Sequence, residues 1–456
     1  MPKIKFTEII SATNADVVRP NEDIIFTDIV TDSRKIIEGS LFVAFKGENF
    51  NGEDFVIEAI NKGAAGVILS KNCPPDKLPD SGIIFKVNDT IDAYQQIAKL
   101  WRLKFDIPII AITGSNGKTT TKDLTAALLS PLGKVQKTTS NYNNEIGVPL
   151  TLLGIDESHK SAVVEIGMRG LHQIEKLADI VKPTIGIVTN VGETHMELLG
   201  SIENIARAKR ELVEAIDAGG TVILNADDPN VIAMKDYVKD GVNVITFGID
   251  NDADFKAENI ITNATSTIFT LKYKGKEYVA DFPVLGRHNV SNALAAFAAA
   301  KNLGLNKEDI RTGLATLATT KMRFEIVDRD GVQIINDAYN ASPASMRVAL
   351  QTTADIAKGR KIAVLGDMLE LGKISEKAHY EIGEEVVKNN FEVLITFGEL
   401  GKFIAEGARA AGLKQVFISD THEEAAKYVV QVLKKGDTVL FKGSRGMKME
   451  RIIEMI

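Results

Sequence analysis

The stretch "AITGSNGKTTTK", residues 111–122, decides the architecture. It continues an apolar run, "IIAIT", whose β-branched residues read as a strand. "GSNG" supplies a turn, and a helix is expected from Lys118. Strand, glycine loop and helix in that order make a phosphate cradle. Backbone N–H groups of Gly114, Ser115, Asn116 and Gly117 turn inward, and the helix N-terminus adds positive potential. In such a loop Lys118 reaches the β/γ-phosphates and the Thr119 hydroxyl meets Mg²⁺, with Thr120 beside it in the first turn. Ile112 stands where the usual loop has its first glycine, so this is a compact variant.

Outward from the loop, strands and helices alternate: "SAVVEIG", "PTIGIVTNVG", "GTVILNADDPN" and "NVITFGID" each follow a helical segment. Such alternation implies a largely parallel sheet with helices on its faces. Residues 253–285 break the rhythm with a hairpin expected to turn at Lys274 and Gly275. After "KMRFE" the alternation returns through "GVQIINDAYN", "RKIAVLGDM", "FEVLITFGE", "KQVFISD" and "DTVLFKGSR", a second open α/β unit. Upstream, "SLFVAF", "AGVILS" and two helical stretches between residues 26 and 105 form a smaller α/β unit, and Pro108 precedes the new start.

The 456 residues exceed one ordinary core, and 45% hydrophobic with 25% charged residues is the balance of a globular protein. The N-terminal residues lack a secretory pattern, and no apolar run is long enough to span a bilayer. Cys73 is the one cysteine, which excludes an internal disulfide and a thiolate metal cluster. A cytoplasmic location without membrane attachment is expected. The formal net charge of −7 gives no global field for nucleic acid, so a polyanionic ligand needs local groups.

Three further residues carry chemistry or mimic it. "SIENIARAKRELVEAI", residues 201–216, reads as a helix capped by Ser201, with Ile202, Ile205, Leu212, Val213 and Ile216 on one face. Lys209 falls inside that stripe; Arg207, Arg210, Glu211 and Glu214 take the other faces. Burying an ammonium costs several kcal/mol. Lys209 therefore either snorkels to water or has a depressed pKa that leaves it neutral or open to modification. Glu165 ends one strand and His195 follows another. Each is a satisfied polar residue or a metal-site group, and both share with Gly114 the carboxyl end of a strand, where open sheets bind ligands. "NKED", residues 306–309, matches the guanine-reading motif of nucleotide switches, but it opens a helix, so Asn306 reads as an N-cap with Asp309 in the first turn.

"TGSNGKTT", "EIGM", "TNVGETHME", "ARAKRE", "LNADDP", "GRHNVSNALAA", "KMRFE" and "GSRGMKMERI", in this order, resemble the ATP-dependent Mur ligases of peptidoglycan synthesis. Several of these segments are shared with folylpolyglutamate synthetases. "NYNNEIGVPLTLL", "NDAYNASPASM" and "VLGDMLELG" are narrower. They resemble the branch that adds D-alanyl-D-alanine to UDP-N-acetylmuramoyl-tripeptide. The resemblance implies an α/β fold of three domains: a small α/β UDP-substrate domain over residues 1–106, a central P-loop parallel-sheet ATPase domain over 107–320, and a C-terminal Rossmann-like domain over 321–456 that closes over ATP and binds the dipeptide. It implies ATP and Mg²⁺ as cofactors, small-molecule substrates as the partners, and a monomer. It implies that Lys118 and Thr119 hold ATP and Mg²⁺, that Glu165 and His195 serve the metal, and that Lys209 is carbamylated. Asn289 and Asn292 match an adenine-contacting segment, Arg323 an arginine that reaches the phosphates across the domain gap, and Asp337 a nucleotide-contacting acid. Tyr339 and Asn340 lie beside the implied dipeptide site, Asn141 and Asn144 on the substrate side, and Ser33, Arg34 and Lys46 on the UDP side.

Overall fold

The computed structural model describes residues 2–47, 50–263, 265–317 and 322–456. The boundary expected between 320 and 321 lies outside them. The strand Ile109–Thr113 sits third from one edge of a nine-stranded sheet. On one side of it lie His159–Glu165 and then Lys134–Lys137; on the other lie Ile185–Val188, Thr221–Asn225 and Asn243–Gly248, all parallel. The chain thus leaves Ile109–Thr113 first to one side and later to the other. That reversal opens a crevice at the strand's carboxyl end, where the "GSNG" turn lies. Phe255–Thr262 adds to the far edge in parallel, and Thr267–Tyr273 and Lys276–Phe282 follow antiparallel. Lys274 and Gly275 make the two-residue turn, both at positive φ, as the right-handed twist of a hairpin requires.

The N-terminal unit is a five-stranded sheet, with Leu41–Val43, Gly66–Ser70 and Ile83–Val87 at its centre. Its helix Thr90–Arg102 is capped by Asp89, which accepts from the N–H groups of Ile91 and Asp92. This helix binds the first unit to the central one. Trp101 Nε1 donates to Ile155 O at 2.9 Å, Arg102 Nε to Val181 O at 3.0 Å, and Gln95 Nε2 to Glu145 O at 2.9 Å. One apolar cluster runs from Phe26 and Phe85 through Tyr94 and Trp101 to Val148, Val164 and Leu212. The core is therefore continuous across residues 106 and 107. Cys73 is buried in the outer half of the N-terminal unit.

The C-terminal unit is a six-stranded sheet with its own two cores. Val332–Asn336, Thr438–Lys442, Lys361–Gly366, Val393–Phe397 and Gln415–Ser419 run parallel, and Glu325–Arg329 pairs antiparallel at the edge. Its strands end toward the crevice of the central sheet, so two sets of strand ends face one space. No helix among the described residues is long and apolar enough to cross a membrane.

Asn306 caps Lys307–Leu314, accepting from the N–H groups of Glu308 and Asp309, and Asp309 accepts from Asn306 N in return. "NKED" is a capping box, and the guanine reading falls away. Ser201 caps Ile202–Glu214 as expected. Glu211 departs from expectation. It is buried and accepts from His172 N at 2.7 Å and Glu175 N at 3.0 Å. The neighbouring helix Gln173–Val181 starts without a side-chain cap, and its orphan N–H groups need an acceptor from elsewhere.

Candidate active site

The helix Lys118–Leu129 begins straight after the glycine turn. Gly114 has φ +150°, and a Cβ there would meet Thr189 Oγ1 at 1.9 Å, so only glycine lets the loop lie against the neighbouring strand end. That neighbour holds the loop open. Ser115 N donates to Asn190 O at 2.9 Å, Asn116 N to Asn190 Oδ1 at 2.8 Å, and Thr189 Oγ1 to Asn116 O at 2.6 Å. Ser115 Oγ and the backbone of Gly192 exchange hydrogen bonds of 3.1 and 2.8 Å. Lys118 folds back, its Nζ donating to Gly114 O at 2.7 Å. Burial lowers its pKa, and Arg323 pushes in the same direction against the pull of Glu165.

Thr119 Oγ1 donates to Glu165 Oε2 at 2.8 Å, and Asn143 Nδ2 donates to Glu165 Oε1 at 2.8 Å. Glu165 is buried, and its backbone N–H is taken by Thr138 Oγ1 at 3.0 Å. A hydroxyl and a carboxylate in contact at a phosphate loop suit Mg²⁺, which takes few protein ligands and fills its shell with phosphate and water. No cluster of three or more His, Cys, Asp or Glu among the described residues makes a metal cage, consistent with that type of site.

Lys209 is 2% exposed. No carboxylate lies within salt-bridge distance of it among the described residues. Burial drives its pKa well below the ordinary lysine value, Lys118 adds to this, and Asp228 only partly opposes it. This favours the depressed-pKa reading over snorkelling, since the residue is buried and what it borders is the cavity. His195, at positive φ, heads the short turn Met196–Leu199. Its Nδ1 is 2.7 Å from Glu370 Oε2, across the gap from the C-terminal unit, in a contact too bent for a directed hydrogen bond. Burial lowers the pKa of His195; Glu370 opposes this, and Lys118 and Lys209 reinforce it.

From the C-terminal side, Arg323 lays its guanidinium over the Tyr339 ring at 3.9 Å, and its buried Nε has no hydrogen-bond partner. Asp337 accepts from Phe324 N at 3.1 Å and from Lys442 Nζ at 2.6 Å, while Lys442 also donates to Asn340 O at 2.9 Å. Ser342 Oγ stands 3.3 Å from Asn116 Oδ1, so the two units meet directly over the loop. Asn292 bridges Thr121 (3.3 Å) and Asn289 (3.0 Å) behind the loop. Lys118, Thr119, Glu165, His195, Lys209, Asn289, Asn292, Arg323, Asp337, Tyr339, Asn340 and Ser342 border one cavity of about 1010 Å³, together with Gly117, Thr120, Asn141 and Asn144. The Asn144 side chain is occupied in capping Gly147 N at 2.9 Å. Ser33, Arg34 and Lys46 do not border it. Arg34 is 85% exposed, paired with Asp32, and Ser33 and Lys46 lie with it on the N-terminal unit.

Three stretches match family models: residues 26–102 the Mur ligase family catalytic domain, 112–300 the Mur ligase middle domain, and 322–445 the Mur ligase glutamate ligase domain. The chain belongs to the Mur ligase family. It is 40% identical to a Bacillus subtilis UDP-N-acetylmuramoyl-tripeptide–D-alanyl-D-alanine ligase over 95% of this chain and 93% of that one. It is 33% identical to the Escherichia coli enzyme of the same name, over 95% and 94%. Its fold superposes on MurF from Acinetobacter baumannii with a TM-score of 0.92 at 30% identity, covering 100% and 98%. It superposes on a Thermotoga maritima MurF ligase in complex with ADP with a TM-score of 0.83 at 30% identity, covering 94% and 96%. A Mycobacterium tuberculosis folylpolyglutamate synthase shares the fold, at 17% identity and a TM-score of 0.66, over 80% of this chain.

Sequence reasoning missed several groups that this Mur ligase brings to the site. Asn143 lies inside a segment already singled out, but nothing local tells which asparagine of "NYNNE" meets Glu165. Lys442 ends a strand, the signal that was used for Glu165 and would have found it, while Glu370 lies in the loop after the strand Lys361–Gly366. His288 borders the cavity beside Asn289. Lys122 looks like an outward lysine on the loop helix, yet it is 1% exposed, with its amine 3.4 Å from Asp123.

Proposed function

We propose that this Mur ligase joins D-alanyl-D-alanine to the terminal carboxylate of UDP-N-acetylmuramoyl-tripeptide, converting ATP to ADP and phosphate. The observation that carries the reading is the convergence of the phosphate loop, Glu165 and the 337–342 segment of the C-terminal unit on one cavity. The names of the similar proteins supply the substrates. A carboxylate in water has no adequate leaving group. If its oxygen attacks the γ-phosphorus of ATP, the acyl phosphate that forms can be opened by an amine, with phosphate leaving.

Both steps concentrate negative charge, and we assign its stabilisation to Lys118 and Arg323. Arg323 brings a desolvated donor that has no partner in the protein. Two Mg²⁺ ions, which Thr119, Glu165, His195 and a carbamate on Lys209 would hold between them, would screen the phosphate oxygens. The buried amine of Lys209 fits that modification, because only the neutral form attacks CO₂. We assign Asn289, Asn292 and Asp337 to the nucleoside. Tyr339 and Asn340 receive the dipeptide, and Asn141 the peptide of the UDP substrate. Ser33, Arg34 and Lys46 form a separate surface for the UDP end, away from the chemistry. The C-terminal unit over the loop excludes water, which would otherwise hydrolyse the acyl phosphate. A monomer in the cytoplasm fits a nucleotide-linked precursor.

The test is product mass after incubation with MgATP and D-alanyl-D-alanine, D-glutamate, L-lysine or meso-diaminopimelate, each with its matching UDP-precursor. A single mass increase of the dipeptide residue supports the reading. Preference for a single amino acid moves the chain to another branch of the family. ATP hydrolysis without any amide product would make it a nucleotide-operated switch.

A further inference from the structure

The cavity wall nearest His195 includes Leu369, Glu370 and Leu371, in a segment that leaves the strand Lys361–Gly366 and is pinned by several hydrogen bonds. Asp367 is buried, and its Oδ1 accepts from Leu400 N at 3.1 Å and Gly401 N at 2.8 Å. Its carbonyl accepts from Ser444 N at 3.0 Å. Met368 N donates to Nε2 of the fully buried His379 at 2.8 Å, while His379 Nδ1 lies 2.7 Å from Ser375 O. The proton of His379 therefore sits on Nδ1, and burial keeps the ring neutral by lowering its pKa. Leu369 N donates to Ser444 Oγ at 2.8 Å.

This frame drives Glu370 into the left-handed region, at φ +63°, where a residue with a Cβ is strained. The strained residue is the one that crosses the domain gap. Its carboxylate lies 2.7 Å from His195 Nδ1, and its carbonyl accepts from Glu197 N at 3.2 Å. Gly372, at φ +55°, completes the approach: a Cβ there would stand 3.2 Å from the Cα of Glu197. His195 has no side-chain hydrogen bond from its own domain among the described residues. Its ring orientation and tautomer are thus free until the C-terminal unit arrives. The negative charge of a carboxylate beside Nδ1 favours a proton there and leaves the Nε2 lone pair for the other side of the ring.

We propose that Glu370 is a positioning residue for His195, delivered across the domain gap, and that this contact with the Glu370–Glu197 backbone bond is the latch through which domain closure orders the ring at the ATP site. The inference rests on the assignment of His195 to the phosphate end of the site. It assigns to "VLGDMLELG" a task that nucleotide or dipeptide binding does not require. Asp367 and His379 are the spring behind the latch, holding Glu370 in a conformation it would not adopt alone.

The test uses the full chain with Glu370→Ala, Glu370→Gln and Glu370→Asp. In ¹⁵N-histidine-labelled protein with Mg²⁺ and a non-hydrolysable ATP analogue, the wild-type His195 ring should report a single Nδ1–H tautomer. Glu370→Ala and Glu370→Gln should report a mixture. Glu370→Ala should lower kcat about 10–100-fold, leave KM for the UDP-tripeptide within about twofold, and leave the melting temperature unchanged. Glu370→Asp should recover part of kcat. Small-angle scattering of the analogue complex should show Glu370→Ala more extended than wild type. An unchanged tautomer with unchanged kcat overturns the proposal, as does a kcat loss that tracks a lower melting temperature and is not recovered by Glu370→Asp. If the wild type forms no amide, the functional reading fails, while the ring spectrum and the scattering still decide the latch.

Discussion

Replacing Lys209 with methionine should make the protein more stable and nearly inactive. The amine is 2% exposed, lies on the apolar face of Ile202–Glu214, and feels Lys118 more than Asp228. A buried polar group without a hydrogen bond costs about 1–3 kcal/mol in proteins. Methionine fills the same unbranched volume without that cost. In a domain the size of the 112–300 match, each kcal/mol shifts Tm by about 2–4 °C, so Lys209→Met should melt about 2–12 °C higher in metal-free, CO₂-depleted buffer. If a carbamate on this amine helps to neutralise the phosphates, its loss should cost about 3–4 kcal/mol in the transition state, or about 10²–10³ in kcat. Both readouts come from one preparation: a thermal melt and a coupled phosphate-release assay with UDP-tripeptide and D-alanyl-D-alanine. Wild-type kcat in CO₂-depleted buffer should fall and recover on adding bicarbonate; the variant should respond to neither. Near-normal turnover of Lys209→Met would refute the carbamate. A lower Tm would refute the claim that the amine is buried without a partner.

Arg323→Ala should lower kcat about 10²–10³-fold while KM for the UDP-tripeptide stays within about twofold, since its free Nε donor is matched to charge that develops on the phosphates; steady-state kinetics in both substrates check this. Arg323→Lys should rescue little, because an ammonium cannot both lie flat on the Tyr339 ring and donate sideways. Asn143→Leu should raise the Mg²⁺ concentration needed for half-maximal rate about 10–100-fold, because Glu165 loses the donor that orients Oε1; a Mg²⁺ titration at fixed ATP measures it. Burial pushes the half-buried His288 from 6.5 down to about 4, so the folded form resists a proton that the unfolded chain takes up. Stability should fall as pH drops through 6.5 and level off near 4. The ceiling is about 3.5 kcal/mol at about 1.4 kcal/mol per pH unit, reduced by water in the cavity. The loss of Tm between pH 7.5 and 5 should be smaller in His288→Gln than in wild type.

The parallel strands were legible because they are buried on both faces and read as continuous apolar runs, as in "IIAIT" and "AVVE". The strands that escaped notice include Asp16–Val18, Lys134–Lys137 and Glu325–Arg329, each at the edge of its sheet. An edge strand keeps one side in solvent and carries charge there, which erases the apolar signature. The same distinction governs the site. Lys118, Thr119 and Glu165 could be read because strand, loop and helix fix them locally. The Asp337–Lys442 pair joins residues 105 apart, and Glu370 reaches His195 from another domain. No period or spacing encodes a contact that exists only once two sheets have been stood end to end.

The charge of the cavity explains why a chain with a net charge of −7 seeks a polyanion. Lys118 and Lys209 are buried together, and each lies in the field of another cation. His195 is held toward its neutral form by both lysines. From the C-terminal unit Arg323 faces the same point, and its field acts on Lys118. Against this stand Glu165, which is shared between Thr119 and Asn143, and Asp337, which is already spent on Lys442. With Lys209 neutral, the like charges left facing each other are those of Lys118 and Arg323, and their approach should be unfavourable until nucleotide arrives. With ATP in the loop, Lys118 and Arg323 would both face phosphate, and the domain that supplies Arg323 would be drawn in by the charge it comes to neutralise. Water is then shut out at the moment when the reactive phosphate must be protected.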